Sequence, residues 1–149
     1  MADLTVSVDF TFPPNEVFVF FVPQRMPLWY GTEMDPCFEV QGGAADFAVG
    51  QKGRITGKLQ KREVILTVVI TAYDWNRLLE WQFQDIYGVR GMQRWELHKM
   101  AGATRLVMQD RYEMPGRLGR IVDRCLTRHA VAMRDRAWLK RLQKLVGTR

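Results

Sequence analysis

The sequence predicts an α+β domain in which one antiparallel sheet packs against a long C-terminal helix. Residues 4–12 alternate apolar and polar side chains, and more strand-like segments with short connections follow between positions 53 and 114. After a Pro115-Gly116 turn the pattern predicts a helix of about thirty residues, which spans ~45 Å at ~1.5 Å per residue. A sheet of successive neighbouring strands with one long helix on it leaves a space that side chains or a ligand must fill.

The N-terminal elements are short after the first strand. Residues 14–22 are predicted to form a helix, because Pro14 stands where a helix needs no amide donor. Residues 24–30 form a second short helical or irregular piece, and residues 38–41 a short strand. Five longer strands are then expected in a meander, because their apolar runs are separated by turn residues. They span residues 53–59, 62–73, 77–84, 92–100 and 104–114.

Composition bounds the class of protein. The chain has 149 residues, and residues 1–149 are expected to form a single domain large enough for a core without disulfides or metal. Cys37 and Cys125 match no metal or redox spacing, and His98 and His129 have no partner at ligand spacing, so neither a metal nor another cofactor is predicted. The start of the sequence has no signal-peptide pattern, which predicts a cytoplasmic protein.

Positive charge is concentrated near the C-terminus. The net charge is +6, and residues 117–149 carry ten Lys or Arg against two Asp. Such a helix is most simply a solvated face, although it also allows contact with an anionic membrane surface or RNA. Trp138 is the only aromatic residue among these charges, which argues against stacking on nucleic acid.

Five segments, in order along the chain, carry a resemblance to a known family. They are Phe10-Thr-Phe-Pro-Pro-Asn-Glu-Val-Phe18, Trp29, Val49-Gly-Gln-Lys-Gly53, Thr71-Ala-Tyr-Asp-Trp-Asn-Arg-Leu-Leu-Glu-Trp81 and Tyr112-Glu-Met-Pro-Gly-Arg-Leu-Gly-Arg-Ile-Val-Asp123. The chain resembles the START-like (SRPBCC, helix-grip) superfamily, especially its polyketide cyclase/dehydrase-like branch. The resemblance implies a curved sheet gripping a long C-terminal helix around an apolar cavity. It implies a lipid, quinone or polyketide as ligand, and only in a minority of members an enzyme.

Strand alternation and the helical period indicate which side chains face this cavity. Inward positions on the strands are mostly large and apolar, and Asp110 is the one formal charge among them. On the helix, a first apolar face runs from Leu118 to Met133 with His129 near its centre. The predicted ligand-binding residues are Trp29, Tyr30, Trp81, Phe83, Trp95, Met108, Asp110, Tyr112, Leu126, His129 and Met133.

Asp110 and His129 are the candidate catalytic residues. Measured from the turn at Pro115, Asp110 lies ~16 Å along a strand and His129 ~20 Å along the helix, so the two side chains are expected to meet. We expect a buried polar pair that orients a polar head group or moves a proton. The same pair is more simply explained as a satisfied core histidine with a carboxylate that tolerates burial because it is paired.

The apolar face of the helix changes phase after Met133. Val131, Trp138, Leu142 and Leu145 lie on a different side from the preceding stripe, and no Gly or Pro marks a break. Either the helix bends or ends early, or its second half packs against a different surface, and a homodimer through these four residues would cover that side.

Three functions fit these patterns. The preferred one is a carrier or sensor that encloses an apolar molecule such as a fatty acid, a quinone or an aromatic polyketide. The alternative is a polyketide cyclase/dehydratase-like enzyme using Asp110 and His129 as acid and base. The third is an interaction module that docks its basic helix on RNA.

Overall fold

The computed structural model describes residues 2–117 and 127–147. Seven strands form one sheet, and the described elements follow the predicted order. The elements are β1 (Ala2–Phe10), α1 (Pro14–Phe18), two 3-10 turns (Met26–Leu28 and Thr32–Met34), β2 (Cys37–Val40), a third 3-10 turn (Gln41–Gly43), β3 (Lys52–Leu59), β4 (Arg62–Asp74), β5 (Leu78–Asp85), β6 (Arg90–Met100), β7 (Ala103–Glu113) and α2 (Arg128–Gly147). The predicted α+β class is confirmed.

The sheet is antiparallel throughout, in the order β1-β7-β6-β5-β4-β3-β2. Strands β2 to β7 therefore form a meander, as their short connections predict, whereas β1 adds to the far edge beside β7. The β3–β4 turn places Gln60 and Lys61 at positive φ (49° and 75°), the conformation that a tight two-residue hairpin turn requires.

Helix α2 packs on β1, and its buried stripe differs from the predicted one. The buried residues are Asp135, Trp138, Leu139, Leu142 and Val146. The predicted dimer is therefore not supported: Trp138 (3% exposed) and Leu142 (0% exposed) are buried within one chain, whereas Val131 and Leu145 are half-buried. The change of phase reflects packing on this domain's own sheet. Residues 118–126 of the first apolar face lie outside the described residues.

The basic residues of α2 lie mostly on its solvent side. Arg128, Arg136, Lys140, Arg141 and Lys144 are exposed, which fits the interpretation as a solvated face. Contact of this face with a membrane surface stays a prediction. No helix within residues 2–117 and 127–147 is both long enough and apolar enough to cross a bilayer.

Aromatic side chains fill the core behind the cavity. Trp29, Trp81 and Trp95 are fully buried. The Trp81 and Trp95 rings meet edge to face with centroids 4.8 Å apart, a favourable arrangement for aromatic quadrupoles. The Trp29 indole N–H donates to the Phe20 carbonyl at 3.0 Å, which ties the first 3-10 segment to the end of the α1 region.

Gly57 on β3 positions the second 3-10 turn. A Cβ at this position would lie 2.7 Å from both the carbonyl oxygen and the Cγ of Met34. Gly57→Ala is therefore expected to lower the free energy of unfolding by about 1–3 kcal/mol, because the turn must move away from the sheet. Chemical denaturation measures the change. Gly147→Ala is the matched control, since a Cβ there meets nothing within 4 Å; equal losses for the two variants would contradict this account.

Candidate functional site

A cavity of about 590 Å³ lies between the sheet, the 3-10 segment and α2. Most of its wall is apolar, and polar groups are gathered in a few places. The apolar and aromatic lining residues are Tyr30, Met34, Leu59, Val64, Leu66, Phe83, Tyr87, Val89, Tyr112, Met114, Val131 and Trp138. The remaining lining residues are Glu33, Gln60, Arg62, Asp85, Gln93, Asp110, Thr127 and Arg134.

One row of side chains crosses three strands beneath the cavity. In the sheet register, Trp81 on β5 lies opposite Gln93 on β6, which lies opposite Asp110 on β7. The Gln93 Oε1 atom accepts hydrogen bonds from the Trp81 indole N–H at 3.0 Å and the Tyr30 hydroxyl at 2.7 Å. The Gln93 amide donates to Asp110 Oδ2 at 3.4 Å. Gln93 therefore links the buried aromatic core to a buried carboxylate.

Arg134 connects this row to α2. Its Nη2 donates to Asp110 Oδ2 at 3.1 Å and to Asp135 Oδ1 at 3.2 Å, and its Nε donates to Asp135 at 3.3 Å. The guanidinium carbon also lies 4.4 Å from the centroid of Trp138, a cation–π arrangement. The Trp138 indole donates to Glu33 at 2.9 Å, and its ring stacks with Tyr30 at 4.3 Å. We call Asp110, Arg134 and Asp135 the carboxyl–guanidinium cluster.

The two carboxyls of the cluster are 1–2% exposed, whereas the Arg134 side chain is 38% exposed toward the cavity that it lines. Burial, a hydrogen bond with Asp110 and the charge of that carboxylate raise the pKa of Asp135 to about 8, against the lowering effect of Arg134. Among the described residues, Asp110 Oδ1 and Asp135 Oδ2 have no other partner. The raised pKa favours a proton on Asp135 at neutral pH, and this proton can be donated to Asp110.

Four of the predicted ligand-binding residues line the cavity: Tyr30, Phe83, Asp110 and Tyr112. Trp29, Trp81, Trp95 and Met108 are fully buried in the core and do not line it. For Trp81, Trp95 and Met108, which lie on strands, this burial agrees with the predicted alternation.

The expected Asp110–His129 pair is not formed. His129 is exposed at the start of α2, and Arg134 occupies the place beside Asp110. At 100° per residue, His129 lies about 120° around the helix from Asp135, so the face that meets the sheet excludes it. Met133 is 56% exposed for the same reason and does not line the cavity. Leu126 lies outside the described residues.

Arg134 and Asp135 were not predicted as site residues, although the sequence contains a signal for both. Asp135 stands in the middle of the stripe formed by Val131, Trp138, Leu142 and Val146, where an apolar residue is expected. A carboxylate at a buried helical position requires a cation or a proton, and Arg134 is its direct neighbour. Arg134 is one of the ten Lys or Arg in residues 117–149, which were together interpreted as a solvated face.

Comparisons of the structure with solved structures find similar folds. DynU16, a protein of the dynemicin biosynthetic locus, matches with 20% identity and a TM-score of 0.70 over 98% of this chain and 47% of that chain. A protein from Arthrobacter aurescens matches with 14% identity and a TM-score of 0.76 over 99% and 87%. Ara h 8.0201 matches with 13% identity and a TM-score of 0.72 over 99% of both chains.

These likenesses extend over nearly the whole chain, although the chain spans only about half of DynU16. No family model matches the sequence, and no curated protein sequence matches it significantly. At these identities a structural likeness defines architecture and not activity. Seven antiparallel strands and a long C-terminal helix enclosing a cavity identify the chain as a protein of helix-grip fold.

Proposed function

We propose that this protein binds one largely apolar small molecule in the cavity between the sheet and α2, as a carrier or sensor. The observation that carries the proposal is the 590 Å³ cavity, whose apolar wall meets a single carboxyl–guanidinium cluster. Ligand sites typically measure about 300–1,000 Å³ and combine apolar walls with a few polar groups.

The apolar wall would supply most of the affinity. Each methylene removed from water contributes ~0.8 kcal/mol, so a ligand of about eight methylenes gains roughly 6 kcal/mol before the costs of ordering. Met34 and Met114 add adaptable surface, because the thioether side chain is flexible and polarisable. The cluster would fix the orientation of the bound ligand by contacting its polar end.

The likenesses in fold agree with this proposal. The similar protein DynU16 belongs to the dynemicin biosynthetic locus, so a helix-grip protein occurs there among genes for making a small molecule. The resemblance in sequence motifs to the polyketide cyclase/dehydrase-like branch points in the same direction.

Filling the cavity tests the proposal. Val131→Trp should weaken binding of the neutral dye Nile red at least about tenfold, because the indole would occupy space that the dye needs. Dye fluorescence measures the affinity, and circular dichroism checks the fold. Ala137→Trp is the matched control, since Ala137 is exposed on the same helix. Leu66→Trp repeats the test from the sheet wall, and unchanged dye binding in both folded cavity variants would contradict the proposal.

Native mass spectrometry of the unheated protein, followed by organic extraction, addresses the natural ligand. A discrete added mass that extraction releases would give the ligand's chemistry and report the assembly state together. A protein whose mass equals that of the chain alone would argue against a tightly held resident ligand.

A second candidate function, acid–base catalysis on a bound polyketide-like substrate, is favoured by the Asp110 carboxyl at the cavity wall and by the raised pKa of Asp135 beside it. Asp110 stays a candidate acid or base, and Asp135 takes the second acid–base role that was predicted for His129. In a dehydratase, the small molecules extracted from wild-type protein and from Asp110→Asn should differ by one molecule of water, and in a cyclase that closes a ring without dehydration they should be isomers of equal mass. Identical extracts would favour the carrier.

A further inference from the structure

Arg134 is a hydrogen-bond donor at the carboxyl–guanidinium cluster, and it lines the cavity. Its Nε and Nη2 donate to Asp110 and Asp135, whereas Nη1 has no hydrogen-bond partner among the described residues. The other donors around the cluster are committed within the protein. The Tyr30 hydroxyl and the Trp81 indole donate to Gln93, and the Trp138 indole donates to Glu33. A polar ligand group at the cluster therefore has to accept from Arg134.

The charge around this donor is already balanced. Asp110 compensates the guanidinium, and burial favours a proton on Asp135 over a second negative charge at neutral pH. Among the described residues of its wall, the cavity carries the carboxylates of Glu33, Asp85 and Asp110 against the guanidiniums of Arg62 and Arg134, an excess of one negative charge. A carboxylate or phosphate ligand would add a further negative charge beside two carboxyls that are 1–2% exposed.

A cationic ligand fits no better. The carboxylate oxygens that lack a partner among the described residues, Asp110 Oδ1 and Asp135 Oδ2, are closed to solvent. An ammonium group in the cavity reaches Arg134 first, and the two positive charges repel. The remaining class of ligand is neutral and accepts a hydrogen bond.

We propose, resting on the small-molecule function above, that the carboxyl–guanidinium cluster selects neutral ligands with a carbonyl oxygen, as in ketones, quinones and esters. Arg134 Nη1 donates to that oxygen. Asp110 and Asp135 hold the guanidinium in place with three hydrogen bonds, and the Trp138 ring supports it from one face. The apolar remainder of the ligand lies against Met34, Leu66 and the other cavity walls.

Four diphenyl compounds of similar size test this selection by calorimetric titration. Benzophenone carries the carbonyl, diphenylmethane lacks it, diphenylacetate is an anion and benzhydrylamine is a cation. Benzophenone is expected to bind about tenfold or more tightly than each of the other three, as one charge-assisted hydrogen bond contributes. In Arg134→Met the ratio between benzophenone and diphenylmethane should fall to about twofold or less. Arg136→Met, which removes an exposed charge from the same helix, should leave the ratio unchanged.

Photochemistry gives a second readout that needs no variant. Irradiated benzophenone inserts its carbonyl carbon into a nearby C–H bond, so the labelled peptide locates the carbonyl. Labelling at Tyr30 or Val131 would place it at the cluster, whereas labelling at Leu59 or Tyr87, on the hairpin turns, would overturn the proposal. Equal affinities for benzophenone and diphenylmethane, or preference for the anion or cation, would also overturn it while leaving the cavity function standing. Failure of all four compounds and of Nile red to bind would instead remove the proposed function itself.

Discussion

Replacing Trp138 with alanine is expected to lower the free energy of unfolding by about 3–5 kcal/mol, as for other large-to-small changes at fully buried positions. Trp138 is 3% exposed, stacks on Tyr30, supports Arg134 and donates to Glu33. The variant loses all of these contacts and leaves a hole beside the cavity. Urea denaturation monitored by circular dichroism measures the loss.

Met133→Ala is the matched control, because Met133 is on the same helix but 56% exposed. Its effect should stay within about 0.5 kcal/mol. Because Trp138 packs within one chain, the solution mass of folded Trp138→Ala should equal that of the wild type. A smaller assembly together with an unchanged unfolding free energy would restore the dimer interpretation.

Replacing Asp135 with asparagine is expected to remove a loss of stability that the wild type suffers as pH rises. The folded-state pKa of Asp135 is raised from its ordinary value of 3.8 to about 8. Between these values the folded chain binds a proton that the unfolded chain has released, so wild-type stability falls by up to about 1.4 kcal/mol per pH unit. Below this window both states are protonated, and above it both are ionised, so the slope disappears on either side.

Asparagine keeps a donor toward Asp110 and carries no proton to lose. The groups that face Asp135 are Asp110 on β7, Arg134 on α2 and Tyr30 beside the cavity. Burial raises the pKa of Tyr30, so its hydroxyl does not ionise in this range. From about pH 5 to about pH 8, Asp135→Asn should therefore gain at least about 2 kcal/mol relative to the wild type.

Asp9→Asn supplies the comparison for this pH series. Asp9 is exposed, and its hydrogen bond with Arg105 lowers the pKa of the carboxyl, so its contribution to stability is lost only as the pH falls through the acid range. Its stability should run parallel to the wild type from about pH 5 to about pH 8. If the stability of Asp135→Asn also runs parallel to that of the wild type over this pH range, Asp135 is ionised at neutral pH and the account is wrong.

Local patterns were sufficient to predict the sheet. The strands at 62–73 and 104–114 agree with β4 and β7 to within one residue at each end, because alternation and turn residues are encoded locally. The buried side of β7 carries Leu106, Met108, Asp110 and Tyr112, as the alternation predicts. Even the burial of a charged residue at Asp110 follows from its place in that alternation.

The partner of Asp110 could not be predicted in the same way. Which face of α2 meets the sheet depends on how the helix rolls against β1, and that is set by distant packing at Trp138 and Leu142. A prediction from the first apolar stripe places His129 inward, whereas the packed stripe places Asp135 inward and Arg134 at its edge. Periodicity indicates that a face exists, and tertiary contacts decide which face is used.

The position of β1 at the edge of the sheet affects how the chain folds during synthesis. β1 is made first, yet its strand partner is β7, and the Asp9 carbonyl is held by Gln143 from α2. About a hundred residues therefore separate Leu4, Val6, Val8 and Phe10 from their strand partners on β7, which leave the ribosome much later. Sequence separation of this size slows folding and leaves an apolar strand open to wrong pairing. We expect nascent chains that end before β7 to be held by chaperones and to be sensitive to protease at β1.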